Sequence, residues 1–272
     1  MARAVLEGRY VVEEEIAAGG AARVFRALDA QGRKVALKVL RPELLVSITA
    51  QRFLREIEVL KQLDHPLIAK ILDSGESDYV LYYVMAWIEG PTLRAFLDRH
   101  REPPLPAVLK GAGEILAAVS HAHSRGIVHR DIKPENVVLA ENGATLLDFG
   151  IARAIERGSD GPRLTRSGFT VGTSHYMSPE QAGGSPLDHR SDIYSLGCLL
   201  YECLAGEPPY THRQEIQILG LHQRAPVPDV RKKRSGVPKA LAKVVERSMA
   251  KDPSDRFQSA EEMRVALLAA TA

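Results

Sequence analysis

Residues 129–150, HRDIKPENVVLAENGATLLDFG, decide how the rest of this chain is read. They set an acid at Asp131, an ammonium at Lys133, a carboxamide at Asn136 and a second acid at Asp148. Two apolar runs, Val137-Val138-Leu139 and Leu146-Leu147, flank a turn at Glu141-Asn142-Gly143, which is the pattern of a two-stranded ribbon. Such a ribbon brings Asn136 and Asp148 to one end, although twelve positions separate them. A carboxamide and a carboxylate converging there make an oxygen-rich site of the kind Mg²⁺ favours, with phosphate oxygens and water completing its octahedron. Asp131 then lies close enough to orient an incoming hydroxyl, and Lys133 to neutralise charge on a transferring group.

The chain around this stretch has 272 residues, enough for one large domain or two lobes with ample core. Its 45% apolar and 26% charged content is ordinary for a globular protein, and a net charge of +2 gives no general pull toward nucleic acid. One dense basic run, Arg231-Lys232-Lys233-Arg234, reads as a solvated loop rather than a nucleic-acid or lipid patch. Cys198 and Cys203 are the only cysteines; they fall in an apolar helical stretch, lack a zinc pattern and suit a reducing compartment. No apolar run approaches the ~20 residues of a membrane span, and the N-terminus has no signal-peptide core, so a cytoplasmic chain is expected.

Toward the N-terminus, strand candidates at 10–16 and 23–30 flank a small-residue turn, Ala17-Ala18-Gly19-Gly20-Ala21-Ala22, where backbone N–H groups can approach phosphates closely. The next strand candidate ends in Val35-Ala36-Leu37-Lys38. Residues 51–63 have helical apolar spacing at Phe53, Leu54, Ile57 and Leu60. Glu56 and Glu58 lie about 200° apart on that helix, so both cannot face inward. Residues 71–72 suggest a short strand, and 79–88 (YVLYYVMAWI) a long one. Toward the C-terminus, 92–100 and 105–124 read as helices, the second with one apolar face. His121 and His123, about 100° apart, do not converge on a metal and read as ordinary histidines. Residues 192–206 are apolar on nearly every face, which predicts a central buried helix, and 213–224, 238–250 and 259–270 complete a helical half.

The HRD-x-K-P-x-N string with DFG after it resembles the catalytic and metal-binding loops of eukaryotic-like protein kinases, and Lys133-Pro134 resembles the serine/threonine type. From about residue 10 to 267 the chain resembles bacterial Hanks-type kinases. The resemblance implies an α+β, bilobal fold within one kinase domain over 1–272. It divides into a β-rich N-lobe with one main helix (10–85), a hinge (86–90) and a mainly helical C-lobe (91–270). It implies transfer of the ATP γ-phosphoryl group to Ser/Thr hydroxyls of proteins, with Mg²⁺ or alternatively Mn²⁺. Residues 17–22 resemble the glycine-rich loop ending at Val24, with Ala17 and Ala22 in place of two glycines. Alanine is costly at positive φ, so a stiffer loop and weaker ATP binding are expected.

By the same resemblance ATP contacts fall to Ile16, Gly19, Gly20, Val24, Ala36, Lys38, Met85 as gatekeeper, and the main chain of Ala86 and Ile88. Glu56 pairs with Lys38. Asp131 is the base, Lys133 and Thr173 assist it, and Asn136 and Asp148 hold the metal. Arg130 pairs with a phosphorylated residue of the segment 157–172, where Thr165, Ser167 and Thr170 are the candidates. Asp192 braces the catalytic loop, and Glu180 with Arg256 forms a buried ion pair behind Ser178-Pro179-Glu180. The resemblance further implies protein substrates, no nucleic acid, a homodimer through the N-lobe, and a chain that is either cytoplasmic or the cytosolic domain of a longer membrane-anchored protein. A pseudokinase acting as an ATP-binding scaffold is the rival reading, favoured by Ala17 and Ala22 and opposed by the full set of polar catalytic positions. A small-molecule kinase on the same fold is a second, opposed by the 157–172 segment and Thr173.

Overall fold

Short strands in the first ninety positions pair into an antiparallel sheet. The computed structural model describes residues 9–19, 22–41, 50–77, 80–149 and 173–270. These divide into two compact units, one running through Ile88 and the other beginning at Glu89.

The first unit contains β1 (Val11–Ala18), β2 (Ala22–Leu28), β3 (Lys34–Leu40), α1 (Ala50–Leu60), β4 (Ile71–Ser77) and β5 (Val80–Ala86). The strands form one sheet in the order β1-β2-β3-β5-β4. Strand period fixes two faces. One carries the core of Phe25, Ala27, Val35, Leu37, Val39, Tyr82 and Val84. On the other, Lys38 stands opposite Val24 and Tyr83, while Ala36 stands opposite Met85. Helix α1 packs on that second face, where Phe53 meets Tyr83 at 6.4 Å between ring centroids. Strand β4 is longer than residues 71–72 suggested, because Asp73, Ser74, Gly75 and Glu76 give it no apolar pattern to read. Backbone pairing with β5 makes it a strand all the same. Gly75 is required there, since a Cβ would come within 2.6 Å of the Tyr82 hydroxyl.

The second unit contains α2 (Leu93–Arg99), α3 (Leu105–His123), β6 (Val137–Ala140), β7 (Gly143–Leu146), α4 (Pro179–Gly183), α5 (Arg190–Ala205), α6 (Glu215–Arg224), α7 (Lys239–Ser248) and α8 (Ala260–Ala269). Thr92 caps α2 through its hydroxyl on the Ala95 N–H at 3.1 Å. Helix α5 is the hub: residues 191–204 are all buried, as an all-round apolar helix must be. It ends at Gly206, which adopts the left-handed φ of +76°. Cys198 and Cys203 are free and buried on it, and burial raises both thiols, Cys203 to about 12, so neither is a reactive thiolate. Among the described residues no helix is long and apolar enough to cross a membrane.

Candidate active site

The two-stranded ribbon forms in the expected register, from Val137 opposite Leu146 to Ala140 opposite Gly143. Pairing runs one step further, with the Leu147 N–H donating to the Asn136 carbonyl at 2.9 Å. Asp148 is the next residue, so the backbone carries Asn136 and Asp148 at the same end of the ribbon. Asn136 donates its side-chain N–H to the Asp131 carbonyl at 2.8 Å and to Asp131 Oδ2 at 3.0 Å. A carbonyl can only accept, which fixes the amide orientation and leaves Asn136 Oδ1 as an acceptor. The buried Lys133 ammonium also lies 2.8 Å from Asp131 Oδ2.

His129 ties the two motifs together. Its Nε2 bonds the Leu147 carbonyl at 2.8 Å, and its Nδ1 receives the Asp131 N–H at 3.3 Å. The Leu147 acceptor places the proton on Nε2. The same ring packs on buried Phe149 at 4.6 Å between centroids.

Backbone strain marks the same two places. Among the described residues the non-glycine positions with positive φ are Arg130 at +71° and Asp148 at +62°. Each costs about 1–2 kcal/mol for an L-residue and persists only where the surroundings impose it. At Arg130 they do. Its N–H donates to Asp192 Oδ1 at 2.8 Å, and its carbonyl accepts from Gln181 Nε2 at 2.8 Å. The other Asp192 oxygen takes the His129 N–H at 2.8 Å and His123 Nε2 at 2.7 Å. Burial by itself would raise the Asp192 carboxyl, but the bond and charge from His123, with the Arg130 N–H, outweigh it and hold it below the usual range.

Residues 178–183, which follow that segment in sequence, are anchored on the same frame. Ser178 and Gln181 form a capping box at the start of α4. Glu180 takes both Arg256 guanidinium nitrogens at 2.8 Å and the Ser191 hydroxyl at 2.6 Å. Arg256 is fully buried and also donates to the carbonyls of Ala250, Arg190 and Lys251. A second, partly buried cluster joins Arg94 of α2 to Glu202 of α5 at 2.8 Å, to the Tyr176 hydroxyl at 2.6 Å and to the exposed Glu135 of the catalytic loop at 3.0 Å. The Tyr176 hydroxyl donates to Glu202. Burial, then the Glu202 charge, raises this hydroxyl far above its usual range.

The protein kinase domain family matches residues 10–266. The chain belongs to that family. Over 96% of its length it is 40% identical to a probable serine/threonine-protein kinase of Streptomyces coelicolor, covering 39% of that protein. It is 40% identical over 97% of its length to serine/threonine-protein kinase PknB of Mycobacterium tuberculosis, covering 43% of it. Serine/threonine-protein kinase pkn3 of Myxococcus xanthus is 38% identical over 96% of the chain, with 50% of that protein covered. The chain thus spans half or less of these curated relatives. In fold it is similar to Rad53 residues 1–466, solved in complex with AMP-PNP, with a TM-score of 0.77, 24% identity, and coverage of 93% of this chain and 63% of that one. The α+β kinase fold expected from the sequence is the one present.

The remaining kinase positions fall as follows. Val24, Ala36, Lys38 and Met85 share one face of the first unit's sheet. Ile16 sits in the β1 bulge between Glu15 and Ala17, and is exposed. Glu56 is half-buried on α1, whereas Glu58 is exposed and paired with Lys61 at 2.6 Å, which separates the two glutamates as the helix geometry required. The Ala86 N–H is already given to the Lys70 carbonyl at 2.9 Å, so Ala86 has its carbonyl to offer a ligand. The Gly19 carbonyl is held by Arg41 Nε at 2.8 Å.

One expectation is corrected. Ala17 and Ala22 lie within β1 and β2, and neither has positive φ, so alanine carries no conformational penalty at either place. Gly20, Thr165, Ser167, Thr170 and the side chain of Thr173 lie outside the described residues.

His123, Gln181 and the Arg94 cluster are the site residues that sequence reasoning missed. The S-x-x-Q spacing of Ser178 and Gln181 was a usable signal for the helix start. Nothing local announces that His123 reaches Asp192.

Proposed function

We propose that the protein is a serine/threonine protein kinase that transfers the ATP γ-phosphoryl group to hydroxyls of protein substrates and autophosphorylates its 157–172 segment. The observation that carries this reading is the clasp on Asp131. Lys133 and Asn136 both bind Oδ2, at 2.8 and 3.0 Å, and Asn136 is paired to the residue before Asp148. In this reading Asp131 Oδ1 receives the proton of an incoming Ser or Thr hydroxyl and aims its oxygen along the line of attack. The Lys133 ammonium, held beside the base, offsets negative charge on the transferring group.

Asn136 Oδ1 and the Asp148 carboxylate are a hard-oxygen pair suited to Mg²⁺, with Mn²⁺ as an alternative. Two protein oxygens fit a cation whose other ligands are phosphate and water, and among the described residues no cluster of three or more acidic, His or Cys groups competes as a cage. When bound, the cation supplies positive charge to the phosphate oxygens. Lys38 is assigned to the α- and β-phosphates with Glu56 holding it. Ile16, Gly19, Gly20, Val24, Ala36 and Met85 are assigned to the nucleotide, with the main chain of Ala86 and Ile88 on the adenine edge. Thr173 is assigned to the Asp131–Lys133 pair and Arg130 to a phosphorylated Thr165, Ser167 or Thr170. Asp192, Glu180 and Arg256 hold the loops in place. The ordinary φ of Ala17 and Ala22 removes the reason that favoured a scaffold over an enzyme.

The test is phosphosite mapping by intact and peptide mass spectrometry after incubation with ATP and Mg²⁺, beside Asp131→Asn. Phosphate on Thr165, Ser167 or Thr170 is expected in the wild type, with the rate lowered about 10²–10⁴-fold in the variant. Nucleotide binding without phosphate on the chain or on Ser/Thr peptides would refute it.

A further inference from the structure

The second unit contains an apolar cavity of about 310 Å³ that the kinase assignments leave unused. Its walls come from Leu97, Ile115, Leu139, Ala144, Leu200 and Met263, so α2, α3, β6, β7, α5 and α8 all contribute. The space exists because Ala107, Gly111 and Ala140 stand where larger side chains would close it. Walls this apolar give water few partners, so the cavity suits an apolar guest better than a water cluster. Its volume lies at the lower edge of the ~300–1,000 Å³ usual for small-molecule sites, room for one thin chain rather than two.

Lys110 and Glu114 are the charged residues in the lining. Glu114 is committed to the Ala144 N–H at 2.8 Å, while the Lys110 side chain is 77% exposed, its ammonium 3.8 Å from the Glu114 carboxylate. Wall residue Pro103 has its carbonyl bound by Arg234 at 2.9 Å, which brings the basic run 231–234 beside the cavity. Arg231 and Lys232 of that run are exposed. Lys233 of the run is paired with Glu207 at 2.6 Å, which leaves the exposed Lys110 as the cation at the lining. An apolar cavity with such a cation at its edge is complementary to an alkyl chain ending in an anion.

We propose that this cavity binds a free fatty acid, its chain between α3 and the β6–β7 ribbon and its carboxylate at Lys110. The proposal does not depend on phosphoryl transfer.

Gly111 supplies the test. A Cβ there would sit 3.9 Å from the Ala144 Cβ, an ordinary contact, so Gly111→Leu extends into the cavity without a backbone clash. Gly113, which does not line the cavity and has open space about it, takes the same substitution as a control with the same gain in helix propensity. Calorimetric titration of the intact chain with decanoate, below its micelle concentration, is expected to give saturable one-to-one binding. Gly111→Leu should lower affinity at least tenfold and Gly113→Leu leave it unchanged. Lys110→Glu should weaken decanoate several-fold while leaving decanol unaffected. Ala107→Leu, with displacement of a fluorescent naphthylamine probe by decanoate, provides a second reading if Gly111→Leu fails to fold. Absence of saturable binding, equal binding by Gly111→Leu and wild type, or binding to anionic phosphatidylglycerol vesicles alone would each overturn the assignment.

Discussion

Asp192→Asn isolates what the buried brace does for the catalytic loop. The carboxylate serves three donors: Arg130 N–H on one oxygen, His129 N–H and His123 Nε2 on the other. An asparagine has one acceptor oxygen, best placed on the side of the two donors. Its NH₂ then faces the Arg130 N–H at the former 2.8 Å, donor against donor. An unsatisfied buried N–H costs about 1–3 kcal/mol, and loss of charge assistance on the two remaining bonds adds roughly 1 kcal/mol each. Relief of a buried charge works the other way, so a net loss of about 2–4 kcal/mol is expected.

The effect reaches Asp131 through Arg130. Without its anchor Arg130 can leave φ +71°, and the ~1–2 kcal/mol of strain it releases must be restored to reach the productive loop. That amounts to about a 5- to 30-fold fall in kcat. Because the residues assigned to the nucleotide itself lie in the other unit, and only the cation ligands Asn136 and Asp148 lie in this one, KM for ATP should change less than kcat. Urea unfolding measures the stability, and initial rates on a Ser/Thr peptide, at a temperature where the variant stays folded, measure kcat and KM. The depressed Asp192 carboxyl also sets a pH signature. Its stability contribution is complete above the ordinary value of 3.8 and is lost as pH falls through the lower, folded value; the variant should lack this acid-side loss. A variant that loses stability but keeps kcat would refute the positioning argument, and one that loses neither would refute the brace.

Arg256→Met leaves Glu180 buried without its partner and should cost about 3–5 kcal/mol by urea unfolding, with the double variant Glu180→Gln/Arg256→Met recovering part of it. Gly90→Ala places a Cβ 2.3 Å from the Leu139 carbonyl at a φ of +141°, and a loss of about 3 kcal/mol or more is expected from thermal unfolding. Burial, then the Lys251 charge, lowers His222 from 6.5 to about 3, so the unfolded chain binds the extra proton between those values. Stability should therefore fall as pH drops from 6.5 toward 3, and His222→Gln should flatten that slope in pH-dependent urea titrations.

Much of this molecule was legible because its chemistry is packed into one stretch. The ribbon in residues 129–150 carries its own turn and its own apolar runs, so its register and the placing of Asn136 and Asp148 at the same end follow from neighbours in the chain. That Glu56 and Glu58 cannot both face inward was legible for the same reason, since helical phase is local, and one is half-buried while the other is exposed. Strand β4 was not, because its pairing with β5 rather than its own sequence makes it a strand. The penalty expected at Ala17 and Ala22 was misjudged on similar grounds: a small-residue run looks like a turn, yet pairing holds both alanines in strands, Ala17 opposite Val24 and Ala22 opposite Leu40.

His123 shows most clearly where local reading stops. Helical phase correctly separated it from His121 and argued against a metal pair, but it gave no sign of a partner 69 positions away. Asp192 collects that histidine, the His129 N–H and the Arg130 N–H onto one fully buried carboxylate. Gln181 then closes the other side of Arg130. Each contact alone is worth about 1–3 kcal/mol, yet together they hold a residue in a conformation it would not choose. The strain at Arg130 is therefore a measure of how strongly α3, α4 and α5 converge on the catalytic loop. Relaxing any one of them should appear first as a displaced Asp131 and only afterwards as an unfolded chain.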